Sequence, residues 1–210
     1  SELKNDFNVL IVDVKIPEFN NDSGSRRLTE IIKILLKNKV GVILLPDFKE
    51  YRYKSDYIDV FKEMGVIVYE PSLDTQGKLI TKDDFLQLVL PKVNVAWLHR
   101  PEIFEKYFSV IKHFNQEIKV FFDMVDFHYL RFKRESELKN MPEIMETANK
   151  YLSLELDNCN KHGFQQQDVL IYIDNDSLKY DKALKIYIAK VNERLQKIFP
   201  YDKRCYDSVV

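Results

Sequence analysis

Cysteine is scarce in this chain. The 210 residues hold two, Cys159 and Cys205, far apart and in no CxxC or Cys/His spacing. That excludes a disulfide framework and a zinc-finger-type site, and it fits a reducing compartment. Glycine is sparse too, at five, and neither G-x-G-x-x-G nor a P-loop occurs, which disfavours NAD, FAD and ATP sites of those kinds. No sign of charge is in excess: Lys+Arg 32 against Asp+Glu 33 leave a formal net charge of -1. No global field recruits nucleic acid, so no nucleic-acid partner is expected. No apolar run approaches the ~20 residues of a membrane span and no signal peptide opens the chain, so a cytoplasmic setting is the expectation.

What is present is a core and an alternation. Hydrophobic residues make up 45% of the chain, enough to build a sizeable interior within one domain, expected here to run over 1–210. The runs "FNVLIVDV" (7–14), "VGVILLP" (40–46), "GVIVYEP" (65–71), "VNVAWLH" (93–99), "KVFFDMV" (119–125) and "DVLIYID" (168–174) read as strands. They are continuously apolar, as expected when both faces of a parallel sheet are covered. Between them, Leu28, Ile31, Ile32, Leu35 and Leu36 share one helical face, as do Tyr57, Ile58, Phe61 and Met64. Ile103, Phe104, Tyr107, Phe108 and Ile111 do the same, with Pro101 suited to the first turn. Leu184, Tyr187, Ile188, Val191, Leu195 and Ile198 repeat the pattern near the end. The segment 130–167 is the least legible; it reads as a helix from about Leu130 to Asn140, a break at Pro142, and a second helix to roughly Cys159. Strand–helix alternation predicts an α/β fold, a Rossmann-like doubly wound parallel sheet of about six strands with the first in the middle.

In such a sheet ligands bind beyond the carboxyl ends of the strands, where strand order reverses. With the common order 3-2-1-4-5, the exits "NNDSGSRR", "HRPE" and "DMVDFHYLRFKRE" line one crevice, whereas "PDFKEYR" and "EPSLDTQG" fall outside it. In the first exit, Gly24 lets backbone approach a ligand, helix N-terminal amides attract anions, Ser23 and Ser25 add hydroxyls, and Arg26 and Arg27 add charge suited to phosphate. An ordinary helix cap by Asp22 or Ser23 explains the same residues. In the fifth-strand exit, Asp123, Asp126 and His128 are hard to place in a core. A carboxylate beside an imidazole orients a hydroxyl or accepts its proton, and the alternative is Asp126 capping the next helix with His128 on its surface. Of "WLHRPE" only Arg100 is expected to reach a ligand; His113 and His162 read as surface residues.

Three segments together resemble the N-terminal domain of GT-B-fold glycosyltransferases, in the family 4-like branch found in bacterial surface-polysaccharide synthesis. They are "VLIVDVKIPEFNNDSGSRR", "VAWLHRPEIFEKY" and, most specific, "KVFFDMVDFHYLRFKRE". The likeness covers about residues 7 to 136, with a fainter echo at "DVLIYIDNDSLKYDKAL", where Asp174 replaces the usual serine. The resemblance implies transfer of a sugar from a nucleotide-sugar donor to a hydroxyl of a glycan or lipid-linked acceptor, retaining or inverting, with no cofactor and no tightly bound metal. It places Ser23, Gly24, Ser25 and Arg26 in the loop near the donor diphosphate, Arg100 after the fourth strand, and Asp126 and His128 at the cleft near the acceptor. The expected roles are substrate contact for His128 and backbone support for Asp126.

A complete enzyme of that kind needs roughly twice this length. The chain is therefore expected to work with a donor-gripping C-terminal domain in cis or a partner subunit, and to be inactive alone. Its expected place is the cytoplasm, with scope for peripheral contact at the inner face of the plasma membrane. The competing reading is a non-catalytic Rossmann-like module binding a nucleotide, a sugar or a protein. A receiver- or flavodoxin-like domain is disfavoured, because no acidic pair follows "LIVDV".

Overall fold

A computed structural model describes residues 5–48, 55–124 and 128–161. The chain divides into two compact units, Ser1–Asp126 and Phe127–Val210, where a single domain was expected. Among the described residues no helix is long and apolar enough to cross a membrane. The strand expected at 168–174 and the helix expected around 184–198 lie outside the described residues.

The first unit is an α/β layer structure. In chain order it runs β1 (Asn8–Asp13), α1 (Ser23–Lys37), β2 (Gly41–Pro46), α2 (Ser55–Glu63), β3 (Ile67–Val68), a small hairpin of β4 (Ser72–Leu73) and β5 (Leu79–Ile80), α3 (Lys82–Val89), β6 (Val95–His99), α4 (Pro101–Phe114) and β7 (Lys119–Asp123). The main sheet has five strands in the order β3-β2-β1-β6-β7, all pairs parallel. Every residue of β1, β2 and β6 is buried, because helices cover both faces.

The helices form where burial and capping coincide. In α1, Leu28, Ile32 and Leu35 turn inward and Asp22 caps the start; in α3, Thr81 and Asp84 make a reciprocal capping box. The third predicted strand shrinks to two residues. The β4–β5 hairpin follows it, closed by Asp74, whose carboxylate accepts from the Gln76 and Lys78 amides, with Gly77 at φ 79.

Register and pleat assign the faces. Ile11 pairs with Trp97 and Trp97 with Phe121, so Asp13, His99 and Asp123 continue the same row two residues on. Arg27 of α1 reaches Asp123, which puts α1 over that face. Phe104 of α4 packs on Phe122 with ring centroids 4.4 Å apart, which puts α4 over the other.

The second unit contains α5 (His128–Lys139) and α6 (Pro142–Lys161), a helical hairpin within two residues of its expected limits. Its turn is held by the Ser136 hydroxyl donating to Met141 O, with Asn140 in the left-handed region at φ 52.

Candidate functional site at the sheet switch point

The strand order reverses between β1 and β6, so the carboxyl ends of β1, β6 and β7 frame the crevice that this topology reserves for ligands. Asp13, His99 and Asp123 end these three strands on the α1 face, and all three are buried. Buried carboxylates need partners. Arg27 Nη2 donates to Asp123 Oδ2 at 2.7 Å and Trp97 Nε1 donates to the same oxygen at 3.2 Å. Arg100 Nε donates to Asp13 Oδ1 at 3.0 Å, and the Val14 amide donates to that oxygen at 2.7 Å.

His99 sits between these pairs, 1% exposed, stacked on Trp97, with Nδ1 3.9 Å from Asp123 Oδ2. Burial pushes its pKa below the usual imidazole value, and Arg27 and Arg100 push the same way; Asp123 and Asp13 pull only partly back. The ring is therefore neutral at pH 7. Its Nε2 is buried and has no hydrogen-bond partner among the described residues.

Arg100 is the strained residue of the site. It lies at φ 76, ψ 150, a region that glycine alone adopts readily, and it precedes a proline. Three bonds hold it: its amide donates to Asp123 O at 2.7 Å, its carbonyl accepts from the Phe104 amide at 3.0 Å, and its side chain reaches Asp13. The strain thus ties the end of β6 to both neighbouring strands.

The first loop turns out to be both a cap and a crevice wall. Asp22 accepts from the Ser25 amide at 2.7 Å, from the Ser25 hydroxyl at 2.8 Å and from Lys15 at 3.2 Å. Burial alone would raise the Asp22 pKa; the Ser25 and Lys15 bonds outweigh it and hold it below the usual carboxylate value. Ser25 is buried with its hydroxyl engaged by the cap, whereas Ser23 and Arg26 are exposed on the first turn and Gly24 is half-buried. Arg27 rather than Arg26 is the arginine that enters the switch-point network.

On the opposite face of the sheet, Asp47 follows β2 and pairs with Lys82 of α3 and, at 2.7 Å, with Lys106 of α4. Burial would raise the Asp47 pKa, but the two ammonium groups win and lower it. Burial beside that carboxylate pushes the Tyr107 phenol far up, so it stays neutral. This cluster is a closed tie between β2 and the two helices. It falls outside the crevice, as expected of the "PDFKEYR" exit.

The expectation for His128 needs correction. Instead of projecting from an exposed segment, its imidazole is 3% exposed, stacked on Tyr151 with centroids 4.8 Å apart. Its backbone amide donates to Glu155 Oε1 at 2.9 Å and its Nδ1 lies 3.3 Å from the same oxygen. The carboxylate supporting this helix start is thus Glu155, and His128 is interior to the hairpin. Asp126 lies outside the described residues.

Asp13 and His99 were missed as site residues because each sits inside an apolar run that reads as core, whereas Arg27 was read with Arg26 as charge for a phosphate and instead pairs with Asp123. The available signal was positional: a polar residue as the last member of each of three adjacent parallel strands. Among the described residues no group of three or more His, Cys, Asp or Glu could hold a metal ion. No family model, curated protein or solved structure matches the chain.

Proposed function

We propose that the chain is the acceptor-side half of a glycosyltransferase that moves a sugar from a nucleotide-sugar donor to a hydroxyl of a glycan or lipid-linked acceptor. One observation carries this reading. The strand ends within the three resembling segments, at Asp13, His99 and Asp123, lie side by side at the switch point, joined by the Arg27–Asp123 and Arg100–Asp13 pairs. Ser23, Gly24 and Arg26 then offer helix N-terminal amides and charge to a donor diphosphate, with Arg100 facing it from β6. The donor-gripping half is supplied by a further domain or subunit.

A second reading has its own support. The Ser25 hydroxyl and one Arg27 nitrogen are engaged within the fold, which suits a non-catalytic module that binds a sugar or nucleotide and transfers nothing.

A nucleotide-sugar and acceptor screen on the complete gene product separates the two. Sugar transfer by the complete product, with none by residues 1–210 alone, supports the enzyme half. Ligand binding without transfer by the complete product supports the module. Steady turnover by residues 1–210 alone defeats the assignment to a half.

A further inference from the structure

The switch-point network leaves two donor–acceptor features unused. His99 Nε2 is a buried atom with no partner among the described residues, at the centre of a row whose other polar groups are paired. A neutral imidazole with Nδ1–H turned toward Asp123 presents Nε2 as a bare acceptor on the opposite edge of the ring. Leaving such an acceptor dry is costly, so a fold that keeps it has a use for it or tolerates the loss. The second feature is the Arg100 fork. Its Nε is spent on Asp13, while Nη1 and Nη2 have no partner among the described residues, and the side chain is 23% exposed.

We propose that His99 is a specificity-determining residue of a sugar-phosphate site: its Nε2 accepts a hydrogen bond from a ligand hydroxyl while the Arg100 fork holds the adjacent phosphate. The inference rests on the glycosyltransferase reading for its ligand class. Arg27 and Arg100 hold the exposed rim of the row, their side chains 39% and 23% exposed against 1% for His99. Because Nε2 is buried, ligand entry requires side chains around it to move, and a phosphate that draws Arg100 away from Asp13 is the movement required. The bidentate geometry of guanidinium suits phosphate, and the uncharged ring suits a hydroxyl rather than a second anion. The Asp123 carboxylate, 3.9 Å from Nδ1, favours a proton on that nitrogen and so leaves Nε2 an acceptor, while Trp97 stacks beside the ring.

The test is long-range ¹H–¹⁵N NMR of the histidine rings in the whole chain, titrated with glucose 1-phosphate and, separately, with inorganic phosphate. The expected result is a shift of the His99 Nε2 resonance with glucose 1-phosphate that inorganic phosphate does not reproduce. Arg100→Ala is expected to weaken both probes. His99→Phe, which keeps a ring against Trp97, is expected to weaken glucose 1-phosphate about tenfold and leave phosphate unchanged. If His99→Phe fails to fold, the wild-type spectra still decide. An unmoved Nε2 at saturation, equal shifts with both probes, or no binding of either probe overturns the proposal. Sugar transfer by the complete gene product with His99 unmoved overturns this inference alone. A selective His99 shift without transfer keeps it and removes the enzyme reading.

Discussion

Among the described residues, two buried histidines stand beside buried carboxylates, and they differ in what is left over. In the helical hairpin, His128 meets Glu155 at 3.3 Å, the same carboxylate takes the His128 amide, and Tyr151 covers the ring. In the sheet unit, His99 stands 3.9 Å from a carboxylate committed to Arg27 and Trp97, and its Nε2 is unpartnered among the described residues. The first arrangement closes a helix start. The second keeps an acceptor in reserve where the topology places ligands. Burial beside a carboxylate therefore does not mark a working histidine; what separates the two is the unspent hydrogen-bonding capacity and the position on the sheet.

The largest effect that sharpens this contrast is expected from Asp123→Ala. It strips the partner from Arg27 and from Trp97 Nε1 and removes the carboxylate nearest His99. Arg27 is 39% exposed and can rehydrate, so the loss of its bond and the Trp97 bond to this buried carboxylate costs about 2–4 kcal/mol, to be read from urea unfolding with β6 amide exchange as the local probe. A loss below about 1 kcal/mol means that the row is not held as described. Glu155→Ala comes next. It leaves the His128 amide unsatisfied in the hairpin and is expected to cost about 1–3 kcal/mol. Affinity for glucose 1-phosphate is expected to stay unchanged, and a large fall in that affinity without a fall in stability restores a ligand role to His128.

A smaller effect tests whether Arg100 is strained for its side chain. Glycine accepts φ 76, ψ 150 without penalty and alanine does not, while both lose the bond to Asp13. Arg100→Gly is therefore expected to be more stable than Arg100→Ala by about 1–2 kcal/mol, with both variants equally weak toward phosphate. Equal stability of the two, by thermal unfolding, means that the backbone relaxes and the strain is not held by the neighbouring strands.

The fold was legible where physics acts locally. Continuous apolar runs announced β1, β2, β6 and β7, and the Pro142 break split the two hairpin helices. Pro101 marked the start of α4. The β4–β5 hairpin was not legible, because its strands are two residues each and its stability lies in the Asp74 turn. Helix α3 was missed although Thr81 and Asp84 spell its capping box. At the site, Arg100 was singled out from its place after a strand, and its side chain bonds Asp13. His99 was hidden by the apolar run it terminates, and the bond from Arg27 to Asp123 spans 96 residues of sequence that no local pattern encodes. His128 misled for the opposite reason: its partner Glu155 lies 27 residues on, in a helix with weak periodicity.

The smallest effect bears on the first loop, where cap and ligand wall share residues. Asp22 spends both carboxylate oxygens on Ser25 and Lys15, so Asp22→Ala is expected to cost about 1 kcal/mol at pH 7, the usual scale of a lost N-cap. The sign of the pH dependence follows from the depressed pKa of Asp22 in the folded state. A carboxylate easier to ionise when folded adds stability above its unfolded value, near 3.8, and loses it as pH falls through the lower folded value. The stability gap between wild type and Asp22→Ala should therefore be constant from pH 7 down to about 5 and close toward pH 2–3. Asp22→Asn keeps the cap geometry without a titratable carboxylate, so its margin over Asp22→Ala should not change with pH. Ligand affinity distinguishes the remaining role. If Asp22→Ala leaves stability untouched at every pH yet abolishes binding of glucose 1-phosphate, the loop serves the ligand and not the helix. If it lowers stability alone, the anion-facing part of the site lies with Arg100 and the strand ends.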